Sequence, residues 1–205
     1  KTHIYDHTTS SWPYIKNVIK YFRRLITFKT TIDGFKVRLN DYLKFKKFLN
    51  LDNVSFFKEK ITHPIKNKKD NNIEKVFSRL SNNDKIILKC DIEGNEFEII
   101  EQIIKYSSRI DMLIFEFHLI NQSKNEELFI ESIKKLKEKF EIIHLHGNNF
   151  NTKSESGLPN VLEVTLFNNK YKPIDIEYVY SFPIKNLDYP NNPFEKDIEF
   201  NFQEK

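Results

Sequence analysis

Between Lys85 and Asn168 oily runs alternate with amphipathic ones, and this alternation restricts the fold more than any other feature. "KIILKCDIE", "IDMLIFEFHLI", "EIIHLHGNNF" and "VLEVTLFN" read as strands. A helix is expected after Asn95, a capping residue, with Phe97, Ile100 and Ile104 on one face. A second helix, "NEELFIESIKKLKEKF", repeats through Leu128, Ile133 and Leu136. Strands separated by helices predict an α/β fold with a mainly parallel sheet. The near-continuous apolar character of "KIILKCDIE" suits a buried, parallel position. The last two strands have only the loop "SESGLPN" between them, so one antiparallel strand is expected near the C-terminus.

The first half is read in the same way. "THIYDHTT" and "NVSFFKEKI" are strand candidates, the second ending near Lys58 and Glu59. "PYIKNVIKYFRRLITF" is a helix opened by Pro13, with Ile15, Ile19 and Phe22 near helical spacing. Asp33-Gly34 is a turn signal before a helix carrying Tyr42, Phe45, Phe48 and Leu49. "IEKVFSRLS" is a short helix. Residues 1–171 are expected to form one partial α/β domain, and 172–205 an extended tail that packs on it.

Composition narrows the function. The net charge of +4 is spread and mixed with acids, as in "IKKLKEKFE", which predicts solvated helix faces and no nucleic-acid partner. Cys90 is the sole cysteine, so there is no disulfide framework and a reducing compartment is expected. No apolar run approaches the roughly 20 residues that span a bilayer, and no signal peptide is visible; a cytoplasmic protein without a membrane span is expected.

Three strands end in acids or imidazoles two residues apart: Asp91 and Glu93, Glu116 and His118, His144 and His146. Side chains two apart share one face of a strand. The C-terminal strand ends are where an open α/β sheet binds ligands. Glu163 enters near the same rim from the reversed strand. Other uses remain open for these residues. Glu93 or Glu96 suits the first turn of a helix, where the dipole favours negative charge. His144 and His146 can be satisfied by backbone carbonyls. Asn148 and Asn149 suit gripping a polyhydroxylated ligand or a plain turn after Gly147.

In order, "LKCDIEGNEFEII", "LIFEFH", "IIHLHGNNF" and "PNVLEVTLFN" resemble the signatures of FkbM-type methyltransferases, as does the ending "LDYPNNPFEKDIEFNF". The resemblance runs from about Asn53 to the end, with "IYDHT" alone looking familiar before it. It implies a Rossmann-like class I methyltransferase fold that binds S-adenosylmethionine and methylates a hydroxyl of a sugar, polysaccharide or natural-product acceptor. By position it places Asp6 at the cofactor ribose, Lys58 and Glu59 beside the adenine, and Asp91 facing the reactive methyl. Glu116 and His118 would end the fifth strand. No glycine-rich loop follows a first strand, so the N-terminal part of such a domain is expected to be missing, and the chain as it stands to be a weak cofactor binder or inactive.

A hydroxyl acceptor needs a base, and an imidazole beside a carboxylate meets that need at neutral pH. His118 or His146 is the expected base, with Asp91 and Glu116 orienting it or sharing a divalent ion. Mn²⁺ or Zn²⁺ suits such ligands better than Mg²⁺. Glu93, His144, Asn148, Asn149 and Glu163 are the expected acceptor contacts. The alternatives are a metal-dependent hydrolase built on the same strand-end pairs, and a non-catalytic binding module.

Overall fold

The structure, a computed structural model, describes residues 1–8, 11–150, 156–171 and 179–202. The chain separates into two compact units, residues 1–61 with 67–71 and residues 62–66 with 72–205.

In the first unit β1 (Thr2–Tyr5) pairs in parallel with β2 (Val54–Phe57), Tyr5 opposite Phe57. Between them run α1 (Trp12–Ile26), with proline in its first turn, and α2 (Ile32–Leu49). Tyr14 stacks on Phe45 across the two helices, ring centroids 4.5 Å apart. Asp33-Gly34 is not a turn before α2 but part of its opening turn. Thr31 caps the helix by accepting from the Gly34 N–H, and Asp33 supplies the acid that a helix N-terminus favours. The "FFKEKI" segment breaks at Lys58 and Glu59. Beyond the break, β3 (Lys60–Ile61) pairs in parallel with β4 (Asp70–Asn71).

The second unit opens with α3 (Ile73–Ser78), capped by Asn72, whose side chain accepts from the Lys75 N–H. Its sheet comprises β5 (Ile86–Cys90), β6 (Ile110–Phe117), β7 (Phe140–Gly147) and β8 (Leu162–Asn168), in the order β5-β6-β8-β7. β5 and β6 are parallel; β8 runs antiparallel to both β6 and β7. One reversed strand therefore sits among strands of a common direction, as the loop between the last two strands predicts. β5 lies at an edge of this sheet and Ile87 is 68% exposed, so its oily sequence does not mark a strand buried on both faces.

α4 (Ile100–Lys105) and α5 (Ser123–Lys137) present slightly rotated faces. A 3₁₀ turn, Glu96–Ile99, precedes α4, and its tighter winding shifts the buried set to Ile99, Ile100 and Ile103. In α5 the buried positions are Phe129, Ser132 and Leu136; Leu128 is exposed. Phe129 meets Phe117 of β6 edge-on at 5.3 Å, and Leu113, Phe115, Val164 and Leu166 fill the same buried sheet face. Asn95 is no side-chain cap: its Nδ2 donates to the Ile92 carbonyl and its Oδ1 accepts from Thr62 Oγ1.

Of the C-terminal tail, residues 172–178 and 203–205 lie outside the described part. The rest contains a short antiparallel pair, β9 (Ser181–Phe182) and β10 (Phe200–Asn201), and buries Phe182 and Ile198.

Candidate active site

The parallel register of β5 and β6 ends with Cys90 opposite Phe115, which carries Asp91 to the level of Glu116. Glu116 is opposite Glu163 on β8, and Glu163 is opposite His146 on β7. Directly opposed residues share a face, so the sheet order lines these groups up across the rim. His118 follows Phe117 immediately beyond β6.

His118 is the focus of the cluster. Its Nδ1 donates to Oε1 of Glu96 at 2.9 Å, and Glu96 is fully buried. The same oxygen accepts from the Ile92 N–H at 3.2 Å and the Gly94 N–H at 3.1 Å. This fixes the ring, and its Nε2 faces Asp91 at 3.8 Å, Glu93 at 3.7 Å and Glu116 at 3.9 Å. The Glu96 bond raises the imidazole pKa above its ordinary value; the Glu93 and Glu116 charges act the same way, and burial opposes them. Glu116 is also raised, by its burial first and then by Asp91 and Glu163, with His118 opposing.

The bend that carries the acids is conformationally unusual. Glu93 has φ 56° and Gly94 φ 92°, two left-handed residues in succession, and Leu119 across the bend has φ 59°. A non-glycine residue there pays a steric cost and persists only where its surroundings over-determine it. The thiol of Cys90, pushed up to about 12 by burial, then Glu96 and Asp91, is inert at neutral pH. Asp91, Glu93 and His118 each offer a ligand atom within 4.8 Å of the others, and these three residues could hold a divalent metal.

Other expected site residues stand elsewhere. His144 Nε2 bonds Asp188 at 2.9 Å, and His146 Nε2 bonds Asp197 at 3.1 Å, so the tail, rather than backbone carbonyls, engages both rings. His146 is buried and its Nε2 is engaged by Asp197, so of its two ring nitrogens only Nδ1 is left to act as a base. Asn149 is likewise spent: its amide donates to the carbonyls of Asn192, Glu195 and Lys196 and its oxygen accepts from the Asn192 N–H. Asn148 accepts from the Phe150 N–H, a local turn.

Asp6, Lys58 and Glu59 belong to the first unit. Asp6 donates its N–H to the Phe57 carbonyl and accepts at Oδ1 from the N–H and Oγ1 of Thr8. Lys58 lines a cleft of about 630 Å³ with His7, Lys60, Lys68, Lys69 and Asp70. Glu59 accepts from the Asn71 amide.

The residues that sequence alone did not assign are Glu96, Asp188 and Asp197. Glu96 carried a signal, an acid in the bend, but its spacing pointed to a helix dipole. Asp188 and Asp197 lie 44 and 51 residues from their imidazoles, and no local pattern marks them. No family model, curated protein or solved structure matches the chain.

Proposed function

We propose that this chain carries the acceptor-side site of an S-adenosylmethionine-dependent O-methyltransferase, with His118 as the base. The observation that carries the reading is the Glu96–His118 bond. It presents Nε2 to Asp91 and Glu116 at the C-terminal ends of two neighbouring parallel strands. Methyl transfer is an in-line displacement, so catalysis is largely alignment plus removal of the acceptor proton. A carboxylate-held imidazole with a raised pKa is suited to that removal. Asp91 and Glu116 would orient a sugar or natural-product hydroxyl, with Glu163 extending the polar row.

The strand pairings support the same reading. A doubly wound sheet places its second strand beside its third and its fourth beside its fifth. β1 with β2, and β5 with β6, are parallel pairs of this kind. Asp6 and Lys58 follow adjoining strand ends, where they would hold the cofactor's ribose and adenine. The cofactor itself supplies the methyl group as a positively charged sulfonium.

The test is calorimetric titration with S-adenosylmethionine and its demethylated product, with labelled methyl transfer into glycan fractions. Saturable binding and transfer that is lost in Asp91→Asn and His118→Ala support the proposal; absence of both, also when the chain is preceded by a first strand and glycine-rich loop, overturns it. A metal-dependent hydrolase is favoured by one observation, the convergence of Asp91, Glu93 and His118. Thermal stabilisation by Mn²⁺ or Zn²⁺, lost in Asp91→Asn, with no response to S-adenosylmethionine, selects that reading instead.

A further inference from the structure

α1 packs on α2 through one stripe and leaves a second apolar stripe uncovered. Tyr14 stacks on Phe45, Tyr21 lies under Arg38 at 5.2 Å and one side of the Phe22 ring meets Phe35 at 5.9 Å, which defines the packed stripe and puts Phe22 at its border with the second. Trp12, Ile19, Phe22 and Ile26 recur at intervals of seven, three and four, one face of a helix. They are 56%, 41%, 50% and 62% exposed, and Phe28, just past the helix, is 95% exposed. No residue of α1 is buried.

The charge of this segment is one-sided. Residues 7–32 contain no Asp or Glu but hold Lys16, Lys20, Arg23, Arg24 and Lys29. That is +5 within a chain of net +4, so the remaining residues sum to −1. At 100° per residue, Arg23, Lys16 and Lys20 fall on the flank next to the exposed apolar stripe, opposite the flank that meets α2. A planar surface laid on the apolar stripe therefore also meets the cations.

We propose that α1 docks on an anionic lipid bilayer surface. Trp12, Ile19, Phe22 and Ile26 would enter the headgroup boundary, and Lys16, Lys20 and Arg23 would face lipid phosphates. Apolar side chains bordered by Lys and Arg are the composition of helices that lie in a membrane interface. A protein partner of mixed surface charge offers no such match to a helix without acids. This binding is peripheral, and it is consistent with no described helix being long and apolar enough to cross a membrane. It does not depend on the proposed chemistry.

The test is flotation of the whole chain with vesicles of phosphatidylcholine alone, or with roughly 30% phosphatidylglycerol added. Binding is expected to the anionic vesicles only. It should fall about tenfold or more in Arg23→Glu/Arg24→Glu, and also in Phe22→Ser/Ile26→Ser, with helicity checked by circular dichroism. No association with anionic vesicles overturns the proposal, as does equal binding to the neutral ones. Self-association abolished by Phe22→Ser/Ile26→Ser, without vesicle binding, would assign the face to a second copy of the chain and overturn it too.

Discussion

Replacing Glu96 by Gln removes one buried negative charge while keeping its shape, and its effect on stability should depend on pH. Oε1 of Glu96 accepts from His118 Nδ1, Ile92 N–H and Gly94 N–H. A hydrogen bond to a charged group contributes about 1.5–3 kcal/mol and a neutral one about 0.5–1.5, so the His118 bond alone loses about 1 kcal/mol. Oε2, which has no hydrogen-bond partner among the described residues, becomes a buried NH₂ whose unmet donors cost about 1–3 kcal/mol more. The expected loss is about 2–4 kcal/mol near pH 5.5. The sign of the pH dependence follows from the raised His118 pKa. The folded state holds the proton more tightly, so this stabilisation is complete below the unfolded value of about 6.5 and disappears as pH rises through the folded value. The gap between wild type and Glu96→Gln should therefore narrow by about 1 kcal/mol towards pH 9. Urea unfolding followed by circular dichroism measures the gap, and NMR titration of the His118 ring reads the pKa, which should fall in the variant. A gap that stays constant with pH, or an unchanged ring titration, refutes the reasoning.

Three further outcomes are expected. Glu116→Gln should raise the melting temperature by about 2 °C at pH 8 and leave it unchanged at pH 3, because a raised carboxyl pKa costs stability only once the group ionises; calorimetry at the two pH values checks this. Asn149→Ala should cost about 2–4 kcal/mol, because it strips the tail's carbonyls and the Asn192 N–H of their partner, and should speed tryptic cleavage after Lys185 or Lys196. Phe117→Ala, in the buried face beneath the site, should cost about 3–5 kcal/mol by leaving a cavity, measured by denaturant unfolding.

Periodicity makes much of the second unit legible in the sequence. "IDMLIFEFHLI" and "VLEVTLFN" alternate or run apolar over strand length, and they contain β6 and β8, the first running on past the end of its strand and the second starting one residue early. α5 is visible from its repeat, but of Leu128, Ile133 and Leu136 only Leu136 is buried, with Phe129 and Ser132 taking the other core positions, because several apolar residues compete for a period of 3.6. Asp33-Gly34 misled because the same pair serves as a turn or as an opening helical turn. Only the capping bond from Thr31 decides between them.

The spacing of two residues within Asp91/Glu93, Glu116/His118 and His144/His146 is visible in the sequence alone, but only His144/His146 lies wholly within a strand; Asp91 and Glu93 sit in the bend beyond β5, and His118 just beyond β6. Which pairs meet was decided by the sheet order and the tail. β5 beside β6 brings Asp91, Glu93, Glu116 and His118 together. The tail supplies Asp188 and Asp197, which take up the two imidazoles of β7. The physical reason is range. Local periodicity reports the contacts a residue makes within a turn or a strand, whereas a charge selects its partner by distance in space, whatever length of chain lies between them.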